Sequence, residues 1–92
     1  MDKISKSEFV GIIQNIKNEI RTTQIRTAQQ VNSNLIMMYF RIGKILYENS
    51  RYGNEFIKNI STEVRLEFPR LEGFSERNLR RMKKRWRSCQ SG

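Results

Sequence analysis

Apolar residues recur with helical spacing along most of the chain. Phe9, Ile12, Ile13, Ile16 and Ile20 fall at i, i+3, i+4, i+7 and i+11, the stripe of an amphipathic helix of about four turns. Ser5-Lys6-Ser7-Glu8 reads as a capping box, with Ile4 and Phe9 placed as a hydrophobic staple. Gly11 inside this helix marks a close helix contact or nothing. Arg21-Thr22-Thr23-Gln24 then breaks the stripe. Periodicity leaves two readings there: a turn or bend, or one continuous helix from Ser5 to Ser50.

A second stripe, Ala28, Val31, Leu35, Met38, Ile42 and Ile45, predicts a helix over residues 25–50. Ile36, Met37, Tyr39, Phe40 and Leu46 widen it until its middle is apolar nearly all round. Such a helix belongs at the centre of a fold. Gln29, Gln30, Asn32, Ser33 and Asn34 are expected to face outward or toward partners, and Met37 and Met38 to fill gaps in the core. Gly43 lets another backbone approach closely. Gly53 ends the segment as a C′ residue, and Asn54 is placed to cap a third helix. Phe56, Ile57, Ile60 and Val64 give that helix its buried face, extended by Leu66 and Phe68 to Pro69. Phe68, preceding a proline, is pushed away from helical angles.

The last helix follows a glycine-containing turn. Ser75 is a natural N-cap, Phe74 and Leu79 have staple spacing, and Glu76 suits the positive end of the helix dipole. Leu79, Met82 and Trp86 form one narrow stripe, which assigns Trp86 to packing ahead of stacking on a base. Helix, short turn, helix is the outline of a helix-turn-helix. Ser88-Cys89-Gln90-Ser91-Gly92 has no pattern and reads as a disordered tail. The expected fold is all-α, one domain over residues 1–92, with a long central helix and a C-terminal helix-turn-helix-like pair.

Charge changes this picture most. The 92 residues carry a net charge of +9. Seven of the 18 basic side chains lie in residues 77–87, with no acid among them. Such a helix repels itself unless something negative lies against it. Arg77, Arg80, Arg81 and Lys84 share one side, which suits phosphate contacts, and Lys83, Arg85 and Arg87 add to the field. Arg77 and Asn78 sit in the first turn, where a recognition helix reaches bases. Asn78 suits adenine and Arg77 guanine, although bracing the turn is the simpler role for Asn78. A domain this short buries only about 60–65% of its unfolded surface. Pairing with a second copy through Leu35, Met38, Tyr39, Ile42 and Trp86 is therefore expected.

Catalysis lacks its parts. There is no histidine, the one aspartate is Asp2, and no glycine-rich phosphate loop or nucleophile–base pair can be assembled. No cofactor, no metal and no enzymatic activity are expected. No apolar run approaches the roughly 20 residues of a membrane span. The N-terminus lacks the apolar core of a signal peptide, and the single Cys89 fits a reducing compartment, so a cytoplasmic location is expected.

Several of these residues carry a family resemblance. Tyr39 with Ile42-Gly43, Gly53, Leu66-Glu67-Phe68-Pro69, Gly73-Phe74-Ser75-Glu76-Arg77-Asn78-Leu79 and Met82 resemble the N-terminal domain of the YhcG family. In those bacterial proteins a helical N-terminal domain precedes a PD-(D/E)xK nuclease domain. The resemblance covers residues 8–84 and is lost at Arg85-Trp86-Arg87. It implies an all-α, helix-turn-helix-like domain with a DNA-binding or assembly role. None of the family's nuclease residues falls on this chain. The expected function is a non-catalytic nucleic-acid-binding module, with DNA favoured over RNA. The alternative is a stand-alone dimeric interaction module, of phage or mobile-element type, that modulates or inhibits a nuclease–nucleic acid complex.

Overall fold

Each apolar stripe becomes a helix in the structure, a computed structural model that describes residues 5–23 and 33–91. In order these are α1 (Lys6–Thr23), α2 (Ser33–Glu48), a 3-10 turn at Ser50–Tyr52, α3 (Gly53–Glu67) and α4 (Glu76–Ser91). The described residues include no strand, and the fold is all-α. The predicted segment 25–32, with Ala28, Val31, Gln29, Gln30 and Asn32, lies outside the described residues, as does the staple residue Ile4.

Ser5 caps α1 as its position predicts: its Oγ accepts the Glu8 N–H at 3.2 Å. The Glu8 carboxylate, however, is engaged elsewhere. The Tyr52 hydroxyl donates to Glu8 Oε2 at 2.6 Å, and Arg51 donates to the same hydroxyl at 2.8 Å. A local capping box is thereby half converted into a tether between α1 and the 3-10 turn. At the other end of α1, the hydroxyls of Thr22 and Thr23 donate to the carbonyls of Asn18 and Glu19, at 2.9 and 2.7 Å. α1 packs against both α2 and α3, which one straight helix from Ser5 to Ser50 could not allow. Gly11 is exposed and would meet nothing within 4 Å if it carried a Cβ. Gly11→Ala is therefore expected to stabilise the domain by about 0.5–1 kcal/mol, read from urea or thermal unfolding. A loss of stability would contradict the placement of Gly11 in an ordinary exposed helix.

The core collects Ile13, Ile16 and Ile20 from α1, Leu35, Met38, Ile42 and Leu46 from α2, Phe56, Ile57, Ile60 and Val64 from α3, and Leu79 and Met82 from α4. This corrects the expected interface. Leu35, Met38 and Ile42 are at most 7% exposed within one copy, so they present no surface to another. The chain covers its own central helix better than its length suggested. Its radius of gyration, 12.7 Å, is what about 90 residues give when fully compact. The exposed apolar residues of α2 are Ile36, Met37 and Tyr47 instead.

Two further expectations shift at α3. The helix begins at Gly53, whose φ is 79°, so Asn54 lies inside the first turn and caps nothing. The Gly53 N–H returns to the Ser50 carbonyl, closing the 3-10 turn. Leu66 is 71% exposed and does not continue the buried face. Phe68 leaves helical angles (φ −123°, ψ 64°) before Pro69, as the proline requires. Glu67 at the end of α3 pairs with Arg21, and with Lys17 at 3.2 Å. This fixes α1 to α3 and gives the largely buried Lys17 its counter-charge.

Candidate nucleic-acid interface

α4 is held from three directions. The Ser75 Oγ accepts the Asn78 N–H at 3.3 Å, and the Ser75 carbonyl accepts the Leu79 N–H at 2.9 Å. Phe74 and Leu79 are buried together at the helix start, as their spacing predicts. The buried Ser61 hydroxyl of α3 donates to the Phe74 carbonyl at 2.7 Å, tying the turn down. Gly73 supplies the left-handed residue of that turn at φ 95°.

The main support is α2, not α3. α4 packs chiefly along α2, and the two backbones meet at Gly43. A Cβ there would lie 2.7 Å from the Met82 carbonyl carbon and closer still to its oxygen. The expected close approach at Gly43 is thus made by α4. α3, the turn and α4 follow one another along the chain, while the packing that positions the basic helix comes chiefly from α2.

With Leu79 and Met82 turned inward, α4 turns its basic residues outward. Arg77, Arg80, Arg81, Lys84, Arg85 and Arg87 are exposed, and Lys83 is half-buried. Arg77, Arg80, Arg81 and Lys84 share the outer face set by their i, i+3, i+4, i+7 spacing. Glu76 lies 3.9 Å from Arg80, an exposed i, i+4 pair that offsets little of the charge. Among the described residues, no carboxylate pairs with Arg77, Arg81, Lys84 or Arg85. The helix continues through Ser91, correcting the expected tail. Residues 88–91 contain no proline or glycine, so nothing in them stops a helix already formed. Trp86 is half-buried, with the Lys44 ammonium of α2 5.8 Å from its ring centroid, a cation–π distance. Lys44 carries the positive surface from α4 onto α2, an extension that helical spacing within α4 does not reveal.

A groove of about 280 Å³ runs beside the α2–α4 crossing. Tyr39 and Phe40 of α2 and Met82 of α4 make it apolar. Ile36 lies on the α2 side, and Asn78, Arg81 and Arg85 on the α4 side. Burial raises the Tyr39 phenol above its ordinary value, so at neutral pH it is an uncharged ring. The groove brings Tyr39, expected at an interface, beside Asn78, Arg81 and Arg85, expected at nucleic acid. Its sequence signal was Gly43: residues at −7, −4 and −3 from a helix crossing line the margin of that crossing. Among the described residues no group of His, Cys, Asp or Glu could hold a metal ion, and no helix is long and apolar enough to cross a membrane.

No curated protein and no solved structure matches the chain significantly. A family model described as the DUF1016 N-terminal domain matches residues 15–91. It extends seven residues past Lys84, so Arg85, Trp86 and Arg87 lie within the family pattern after all. With more than half of its length matched, the chain belongs to the YhcG/DUF1016 family, as its N-terminal domain.

Proposed function

We propose that this domain binds nucleic acid through the outer face of α4 and serves as a recognition module that does not itself cleave. The supporting observation is a one-signed helix face held rigid from behind. Arg77, Arg80, Arg81 and Lys84 are exposed together, while Leu79 and Met82 of the same helix are buried. A flexible basic tail would attract polyanions too. A packed helix presents its charges at fixed spacing, which is what phosphate contacts along a strand use. DNA is the favoured partner in this reading. Binding should weaken steeply with salt, with a log–log slope of about −3 to −5 for roughly four to six phosphate contacts. Titrating salt in a gel-shift or anisotropy assay with duplex DNA, single-stranded DNA and RNA measures it. A flat response, or no complex at low salt, would reject the reading.

A second reading rests on the exposed Ile36, Met37 and Tyr47 of α2. In this reading they form a surface for pairing with a second copy, or for docking on a nuclease complex that the domain modulates or inhibits. Light scattering distinguishes self-pairing by a mass of twice 11.0 kDa.

A further inference from the structure

We propose that the groove between α2 and α4 receives one unstacked nucleobase, with the adjoining phosphates lying against Arg81 and Arg85. This rests on the reading of α4 as a nucleic-acid-binding face, and it narrows the target to single-stranded or looped-out nucleotides. Four observations lead there.

The first is the lining. Tyr39 and Phe40 are half-buried, so each ring still reaches solvent, and Tyr39 packs against the core. Tyr39 is braced edge-on by Phe74, with ring centroids 6.5 Å apart. An anchored Tyr39 ring, with the Phe40 ring and a polarisable Met82 beside it, suits the face of a planar base.

The second is size. At about 280 Å³ the space lies at the small end of ligand sites. It admits one ring system. A partner helix, roughly 10–12 Å across, would need a longer channel with several anchor positions.

The third is charge. No lining residue is acidic, and Arg81 and Arg85 stand one turn apart on the rim. Side chains at i and i+4 are near neighbours, a separation that suits successive phosphates. A second copy of this chain would instead bring another +9 toward the same rim.

The fourth is Asn78. The cap bond to Ser75 uses its backbone N–H. Among the described residues its side-chain amide has no partner. That leaves both a donor and an acceptor free at the groove edge, the pair that reads a base edge. Bracing the turn, the simpler role, is already done by the main chain.

A base in a duplex is stacked on both faces and cannot enter such a groove. A single strand, a loop or an extruded nucleotide can. The test uses the full chain and fluorescence anisotropy with a labelled oligothymidine, the same strand with its bases removed, and a duplex. The expected result is roughly tenfold tighter binding of the intact strand than of the abasic strand, and tighter binding than of the duplex. Phe40→Leu keeps apolar volume and removes the ring. It should abolish most of that preference while leaving abasic binding unchanged. Asn78→Ala, which disturbs no side-chain bond, should weaken base-dependent binding without shifting thermal unfolding. Equal affinity for intact and abasic strands, with a steep salt slope, would overturn the groove assignment and leave the basic-face reading standing. Preference for the duplex would also overturn it. No binding of any strand at low salt would overturn both. Capture of an acidic, tryptophan-bearing peptide that Phe40→Leu abolishes, with no base preference, would assign the groove to a protein partner instead.

Discussion

Replacing Gly43 by alanine is expected to unseat α4 and cost about 2–3 kcal/mol or more, the range of an overpacked core. The new methyl group would meet the Met82 main chain, 2.7 Å from its carbonyl carbon. Backbone cannot rotate aside as a long side chain can, so the helices must separate. Separation loosens the packing around Leu79 and Met82, the two buried residues that hold α4 down. A domain of about 90 residues has a total stability of roughly 5–14 kcal/mol, so the loss is a large share. Urea unfolding followed by circular dichroism measures it. An unchanged midpoint would mean that α2 and α4 do not cross at Gly43. The same substitution at Gly11 carries the opposite expected sign, because nothing lies within 4 Å of that position. The pair separates packing from helix propensity.

The second large effect concerns charge alone. Exchanging Arg80, Arg81 and Lys84 for glutamate changes three side chains by two charges each, taking residues 77–87 from +7 to +1. All three are exposed, and exposed substitutions away from caps and cores usually shift stability within about 0.5 kcal/mol. Folding should survive. Nucleic-acid affinity should fall by about two to three orders of magnitude at low salt. The salt slope should flatten by about 3, since each phosphate no longer neutralised by a basic side chain lowers it by about one. Thermal unfolding and salt-titrated anisotropy on the same preparation decide it. Undiminished affinity in a folded variant would move the polyanion off this face.

Much of the fold is legible in the sequence because helices announce themselves locally. The stripe from Phe9 to Ile20, the Ser5 and Ser75 caps, the Phe74–Leu79 staple and the break before Pro69 each rest on neighbours a turn or two away. What fails depends on distance in the chain. Glu8 has Ser5 close by, yet bonds a tyrosine 44 residues on. Met38 and Ile42 look like spare apolar surface until α1 and α4 pack against their helix. Asn54 looks like a cap, but the 3-10 turn places the helix start at Gly53. Of the candidate site, the basic face follows from helical spacing, and Arg77, Arg80, Arg81 and Lys84 emerge together. Gly43 signalled a close approach but not which helix makes it, so the groove emerges only where α2 and α4 cross. Periodicity assigns Tyr39 and Asn78 to separate helices and says nothing of their meeting.

Which surface a polyanion touches is the deciding question. Amide chemical shifts of the isotopically labelled domain, followed while a short oligonucleotide is added at low salt, locate that surface residue by residue. A basic recognition face on α4 predicts changes concentrated in Arg77–Arg87, together with Tyr39 and Phe40 beside the groove. Changes confined to the outer sides of α1 and α3, with α4 silent, would contradict it.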